Sequence, residues 1–213
     1  GDADGAVTGN TRRFGASLKK ITQVIKARSG EIMFGLNMVV HKGRTIFVGD
    51  TSVHEYPTSE QLSEIAISSA RVVRLFGFDP KVAFVSHSTF GQPITSRTKH
   101  IREAVEILKQ KNVDFAFDGD MQPDVALNED YKNLYPFSKI VGNANILIMP
   151  GQHSAAISYK MMKTLGDTKV IGPLLIGLGL PIEIAPLRSS TSEIINLASI
   201  AAYSADVIDY NKN

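Results

Sequence analysis

The chain has 213 residues, 43% of them hydrophobic and 21% charged, with 23 basic against 21 acidic side chains and a formal charge of +2. That length buries a sizeable core as one large domain or two lobes, and charges spread without a polybasic block or an aromatic-basic signature argue against nucleic acid as a partner. The lack of cysteine removes disulfides, thiolate zinc sites and thiol nucleophiles, and suits a reducing cytoplasm. The longest apolar run, around 170–180, is interrupted by Gly and Pro and is too short to span a bilayer, and no signal-peptide pattern is visible. The opening Gly1-Asp2-Ala3-Asp4-Gly5 reads as the start of a fragment cut from a longer protein.

In chain order, "NMVVHKGRTIFVGD" is two β-rich runs about His41-Lys42-Gly43-Arg44, which predicts an antiparallel hairpin near residues 36–50. In "PTSEQLSEIAISSARVVRLFG", Thr58 and Gln61 make a capping box. Leu62, Ile65, Ala66, Val73 and Phe76 share one helical face, and Gly77 stops the helix. A buried-type strand "KVAFVS" follows, then a helix with Ile101, Ala104, Val105 and Leu108 on one face, then strands "DFAFD", "NILIM" and "KVIG". A helix from about Gln152 to Leu165 separates the last two. Strands linked by crossover helices predict an α/β fold with a mainly parallel sheet flanked by helices. Near the end, "IEIAPLRSSTSEIINLASIAAY" passes from strand-like alternation through Pro186, Leu187 and Arg188 to a helix headed by the capping box Ser190-x-x-Glu193.

Ligands in such sheets sit at the carboxyl ends of the strands. The segments there are Ser86-His87-Ser88-Thr89-Phe90-Gly91, Gly119-Asp120-Met121-Gln122-Pro123-Asp124 and Pro150-Gly151-Gln152-His153-Ser154. They form a hydroxyl-, amide- and imidazole-rich rim whose helix N-termini suit an anion. The same residue types serve as ordinary helix caps. Sharper chemistry is argued against. Ser86, His87 and Asp120 lack a G-x-S-x-G elbow, and His87, His100 and His153 lack zinc-ligand spacing. Asp118, Asp120 and Asp124 alternate along a strand end, so no metal site is expected in this chain, and neither a P-loop nor a G-x-G-x-x-G fingerprint is present. Met161 and Met162, with Tyr159, read as core filling.

Six ordered motifs carry a resemblance over essentially the whole chain: "DADGAVTG", "VHEYPTSEQLSEIAISSA", "VAFVSHSTFG", "DGDMQPDVAL", "GNANILIMP" and "IGPLLIGLGLPIEI". Together they resemble the latter two-thirds of a phosphate acetyltransferase. "SHSTFG" and "HSAAISYKMMK" are more similar to the phosphotransacetylase-type C-terminal domain of bacterial hybrid NADP-dependent malic enzymes. The resemblance implies two lobes with an acyl-CoA and phosphate cleft between them. It assigns about 20–173 to the second lobe, and 1–19 with 174–213 to a first lobe whose N-terminal part is absent. In active acyltransferases the junction carries "LSRGC", with a serine for the CoA thiol, an arginine for the transition state and an acid one turn later. Laid on this chain, those positions fall on Pro186, Leu187 and Glu193, so the resemblance implies a degenerate catalytic site.

The same resemblance implies a cleft that senses acetyl-CoA through Ser86, Ser88, Thr89 and Gln152 on one side and Arg188, Ser189 and Ser190 on the other. It implies an N-terminal malic enzyme domain with NADP and a divalent metal, no cofactor in this segment, a homo-oligomer of two or more chains paired through the second lobe, and a cytoplasmic protein without membrane contact. An active phosphate acetyltransferase and a purely structural oligomerisation module remain alternatives. Exposed apolar residues along Ile194–Tyr203 are expected to supply part of the oligomer contact.

Overall fold

The computed structural model describes residues 2–210. The hairpin forms as β2 (Phe34–His41) and β3 (Arg44–Gly49), with His41 opposite Arg44. The two turn residues, Lys42 at φ 46° and Gly43 at φ 76°, are both left-handed, the backbone twist that a two-residue hairpin needs. Thr58 caps α2 (Ser59–Leu75) in a reciprocal box with Gln61, and Gly77 at φ 81° follows its end. The crossovers continue through β4 (Lys81–Val85), α3 (Ser96–Gln110) and β5 (Ala116–Met121), which lies further along the chain than the run "DFAFD". After two short helices, α4 (Pro123–Leu127) and α5 (Glu129–Lys132), come β6 (Ile146–Ile148), α6 (Gln152–Leu165) and β7 (Thr168–Ile176).

These strands form one sheet in the order β5-β4-β6-β3-β2-β7. Because β2 is antiparallel to both β3 and β7, while β3, β4, β5 and β6 pair in parallel, β2 alone runs against the rest. Both faces are covered, and successive strand residues divide between them. Phe47, Phe84, Ile146 and Ile148 pack toward α2 and α3, whereas Val48, Val85, Leu147 and Met149 pack toward α4 and α6. Burial on both sides is why these strands read as continuous apolar runs rather than as alternation. Strand β7 outruns "KVIG" and passes through Pro173 to Ile176. It is an edge strand, and its register with β2 shifts across Gly172-Pro173, between Leu36 and Met38. A residue without an N–H is tolerated at such an irregular edge.

A second, two-stranded parallel layer pairs β1 (Ala6–Gly9) with β8 (Ile182–Ala185). The strands approach so closely that a Cβ on Gly9, itself at φ 104°, would lie 2.3 Å from the Ala185 carbonyl oxygen. Helix α1 (Phe14–Val24) supplies Phe14, Leu18 and Ile21 to a small core beneath β8. Helix α7 (Thr191–Tyr210) packs Leu197 into the main core, stacks Tyr203 on Phe76 at 6.3 Å and donates the Tyr203 hydroxyl to the Leu75 carbonyl. The chain passes between the two layers at 25–33 and 177–181. Among the described residues no helix is long and apolar enough to cross a membrane.

Candidate functional site

The rim at the carboxyl ends of β4 and β5 is organised by Asp120, a fully buried carboxylate. The Ser88 hydroxyl donates to one of its oxygens and the Gly91 N–H to the other at 3.0 Å, while Arg102 stands 4.0 Å away. Ser86 lies 3.1 Å from Ser88, hydroxyl to hydroxyl, and Thr89 accepts the Gln122 N–H at 3.2 Å. Ser86, Ser88 and Thr89 are buried, and their hydroxyls are used to hold the β4 loop on β5. Gln152 opens α6 and donates its N–H to the Glu55 carbonyl. The cap residue of α6 is Gly151, with no side-chain cap and no acidic residue in the first turn, and the positive end of the helix faces Glu55, whose carbonyl takes the first N–H.

Tyr56, Arg97 and His100, outside the expected rim, join His153 of the rim segment 150–154 to line a pocket of about 410 Å³ at this end of the sheet. His153 stacks on Tyr56 at 6.5 Å and lies 3.6 Å from Glu55, while His100 is fixed between the Pro57 carbonyl and the Ser59 hydroxyl. Arg97 has no carboxylate within ion-pair distance among the described residues. The sequence gives little sign of this pocket, because its lining converges from three separate loops. Close by in sequence, Asp50 follows β3 as a second buried hub, accepting the N–H groups of Gly35, Ser52, Val53 and His54 and lying 2.8 Å from the His54 ring. Among the described residues no three His, Asp or Glu side chains gather as a metal would need.

The β8–α7 junction is also tightly built. Arg188 has φ 61°, donates its N–H to the Asn10 carbonyl and leaves its side chain exposed; Leu187 is exposed too. The Ser189 hydroxyl donates to the Pro186 carbonyl at 2.9 Å. Ser190 gives Glu193 both its N–H, at 2.8 Å, and its hydroxyl, at 3.0 Å, and Lys163 of α6 donates to the other carboxylate oxygen at 2.6 Å. The Lys163 ammonium first, and the Ser190 N–H second, hold the Glu193 carboxyl below its ordinary range. Pro186 and Glu193 face Val170, Ile171 and Gly172 across a crevice of about 10 Å³, scarcely room for one water.

The two expected halves of the cleft do not meet. Pro186 and Glu193 lie against β7, four strand positions from the β4 that carries Ser86, Ser88 and Thr89, roughly 19 Å at the usual strand spacing. Helix α6 runs from the rim, at Gln152, to the junction, at Lys163.

The model of the Phosphate acetyl/butaryl transferase family matches residues 1–202. The NADP-dependent malic enzyme of Rhizobium meliloti (strain 1021) is 46% identical over 205 residues, which are 96% of this chain but 27% of that protein. Two solved structures are also similar. The EutD phosphotransacetylase from Staphylococcus aureus has a TM-score of 0.87 at 31% identity, covering 96% of this chain and 64% of that one. A phosphotransacetylase from Streptococcus pyogenes has a TM-score of 0.88 at 33% identity, covering 95% and 63%. The chain thus spans just over a quarter of the malic enzyme and under two-thirds of each phosphotransacetylase, and it belongs to the phosphate acetyl/butaryl transferase family.

Proposed function

We propose that this chain is the regulatory, acyl-CoA-binding domain of an NADP-dependent malic enzyme and turns over no acyl group itself. The observation that carries the reading is the chemistry of the β8–α7 junction. Where the family resemblance expects a thiol-binding serine, a transition-state arginine and an acid, this chain has Pro186, Leu187 and Glu193, and Glu193 is already engaged by Lys163 and Ser190. Pro186 offers neither hydroxyl nor N–H and Leu187 no charge. A carboxylate held down by an ammonium is a weak proton acceptor, and loss of a preorganised donor alone costs roughly a hundred- to a thousandfold in rate.

Binding needs less than catalysis does. The exposed Arg188 side chain and the Gln152 amide at the start of α6 offer contacts for the phosphates of acetyl-CoA, while Ser189 and Ser190, whose hydroxyls are given to Pro186 and Glu193, hold the loop that carries Arg188, and Ser86, Ser88 and Thr89 shape the rim from within. A ligand in contact with both α6 and the junction favours one arrangement of the two layers over another, and that difference in affinity is what regulation requires. In this reading the parent protein decarboxylates malate oxidatively to pyruvate with NADP and a divalent metal held outside this segment, in a cytoplasmic homo-oligomer. The malic enzyme of Rhizobium meliloti named above supports that parentage.

The test is made on the full-length protein. Acetyl-CoA slows malate oxidation without competing with malate, and arsenate causes no loss of acetyl-CoA above background. Steady arsenate-dependent consumption would identify an active acetyltransferase instead, and malate oxidation indifferent to acetyl-CoA would leave only a structural module.

A further inference from the structure

At the opposite edge of the six-stranded sheet, where β3 and β7 begin, lies an apolar cavity of about 370 Å³. Its floor is Val39 and Ile46, a cross-strand pair on β2 and β3. Leu127, at the end of α4, walls one side; Met162 and Leu165, in the last turn of α6, wall the other. The ends of the two helices flank this floor, where Ile46 is half-buried and Val39 is 1% exposed. This is neither the carboxyl-end rim nor the β8–α7 junction, and it takes no part in the function proposed above.

The mouth is polar and positively charged. Arg44 donates one guanidinium N–H to the Leu127 carbonyl at 3.0 Å, which tethers the group at the rim and leaves its other donors unused. Among the described residues no carboxylate lies within ion-pair distance of it. Beside it, His41 is held by the Asp167 carbonyl at 3.1 Å and the Thr168 hydroxyl at 3.0 Å. A concave apolar space of a few hundred Å³ with a single oriented charged group at its entrance is the usual form of a small-ligand site. The charge selects a carboxylate, which the guanidinium fork matches, and the walls select an apolar body. We propose that this cavity binds a small monocarboxylate with an aliphatic or aromatic body, its tail against Ile46, Leu127 and Met162 and its carboxylate on Arg44.

Hexanoate is the probe, titrated into the 213-residue chain and followed by amide shifts in two-dimensional NMR. The expected result is a saturable response confined to the neighbourhood of Ile46, Gly166 and Thr168. Hexan-1-ol, with the same tail and no charge, binds about tenfold more weakly or worse, since a hydrogen bond to a charged group is at stake. Arg44→Gln reduces hexanoate to the affinity of the alcohol and leaves the alcohol unchanged, while Leu127→Trp fills the space and removes both. Arg44 is exposed, so its variant decides the matter even if Leu127→Trp folds poorly. Shifts centred elsewhere, equal binding of acid and alcohol, or hexanoate binding untouched by Arg44→Gln would each overturn the proposal. So would a fall in sedimentation mass of Arg44→Gln with no response to hexanoate, which would mark the cavity as a contact between chains.

Discussion

Lys163, in the last turn of α6, donates to Glu193, in the first turn of α7, at 2.6 Å, and so ties the helix layer of the large sheet to the helix that covers the β1–β8 pair. The same carboxylate closes the capping box with Ser190. One side chain therefore serves as helix cap and as cross-link between layers. Glu193→Ala is expected to cost about 1–2 kcal/mol, because a cap is lost with the pair, and Lys163→Ala less than about 1 kcal/mol, since the pair is partly exposed and screened. The depressed Glu193 pKa makes this contribution fully present above about pH 4.5 and lost as pH falls through the folded value. Urea unfolding of the two single variants and the double variant measures the coupling, and a coupling of zero would remove the cross-link from the account.

Glu183 on β8 gives the opposite pH dependence. It is almost wholly buried, opposite Val7 of β1, and accepts the Leu175 N–H at 3.0 Å; burial pushes its carboxyl up to about 8. The folded chain then keeps a proton that the unfolded chain releases above about pH 4.5. Stability is therefore greatest below that point and falls as pH rises to about 8. Glu183→Gln, neutral at every pH, should flatten this slope and raise the melting temperature at pH 8 more than at pH 5. Parallel curves for the two proteins would show that Glu183 does not stay protonated in the fold.

What could be read from the sequence was local. The hairpin at Lys42-Gly43 and the Thr58–Gln61 box follow from neighbours two to four residues apart, and both formed where the spacing placed them. The role of Asp120 was not legible, because its partners Ser88 and Gly91 come from a loop about thirty residues earlier and meet it only when β4 pairs with β5. The apolar run Ile194–Tyr203 is exposed only in part, at Ile195 and Tyr203 among its large side chains. Leu197 and Ala201 are buried and Ile194 and Ile200 pack on the core, since α7 covers β8 and β7. Periodicity identifies an apolar face but does not say which neighbour covers it.

Ser88 shows the consequence for the rim. With no exposed surface and its hydroxyl on Asp120, it holds the loop after β4 and has no surface to offer a ligand. Ser88→Ala leaves a buried carboxylate short of a donor and should cost about 1–3 kcal/mol in urea unfolding. Inhibition of the full-length protein by acetyl-CoA should keep its midpoint at temperatures where the variant is folded. A large rise in that midpoint without loss of stability would make Ser88 a direct contact.

A second exposed apolar patch lies on α6, where Ile157 and Met161, four residues apart, are 57% and 54% exposed, so Met161 is not the core filling its position suggested. Side chains so spaced form one continuous ridge, and an uncovered ridge of this kind commonly marks a contact between chains. We expect the chain to sediment as a dimer or larger, and Ile157→Glu with Met161→Glu to reduce the mass toward that of one chain. A wild-type monomer at every concentration would leave the patch without this role.

Arg188 is the most informative single position for the proposed function. Its backbone is pinned by the Asn10 carbonyl while its guanidinium is exposed and pairs with no carboxylate among the described residues, so truncation removes a charge without breaking a packed contact. In the full-length protein, acetyl-CoA at about a hundred times its dissociation constant should stabilise the fold by roughly 2.7 kcal/mol. For a domain of this size that is a melting shift of about 5 to 10 °C. Arg188→Ala should lower the shift and move the inhibition midpoint to higher acetyl-CoA by about tenfold, the scale of one charge-assisted contact to phosphate. Malate oxidation without effector should be unchanged, because the malate site lies outside this segment in the proposed reading. Inhibition by acetyl-CoA that is identical in wild type and Arg188→Ala would place the effector away from the β8–α7 junction. An unchanged midpoint with a faster basal rate would instead make Arg188 a contact between layers that restrains the enzyme without touching the effector.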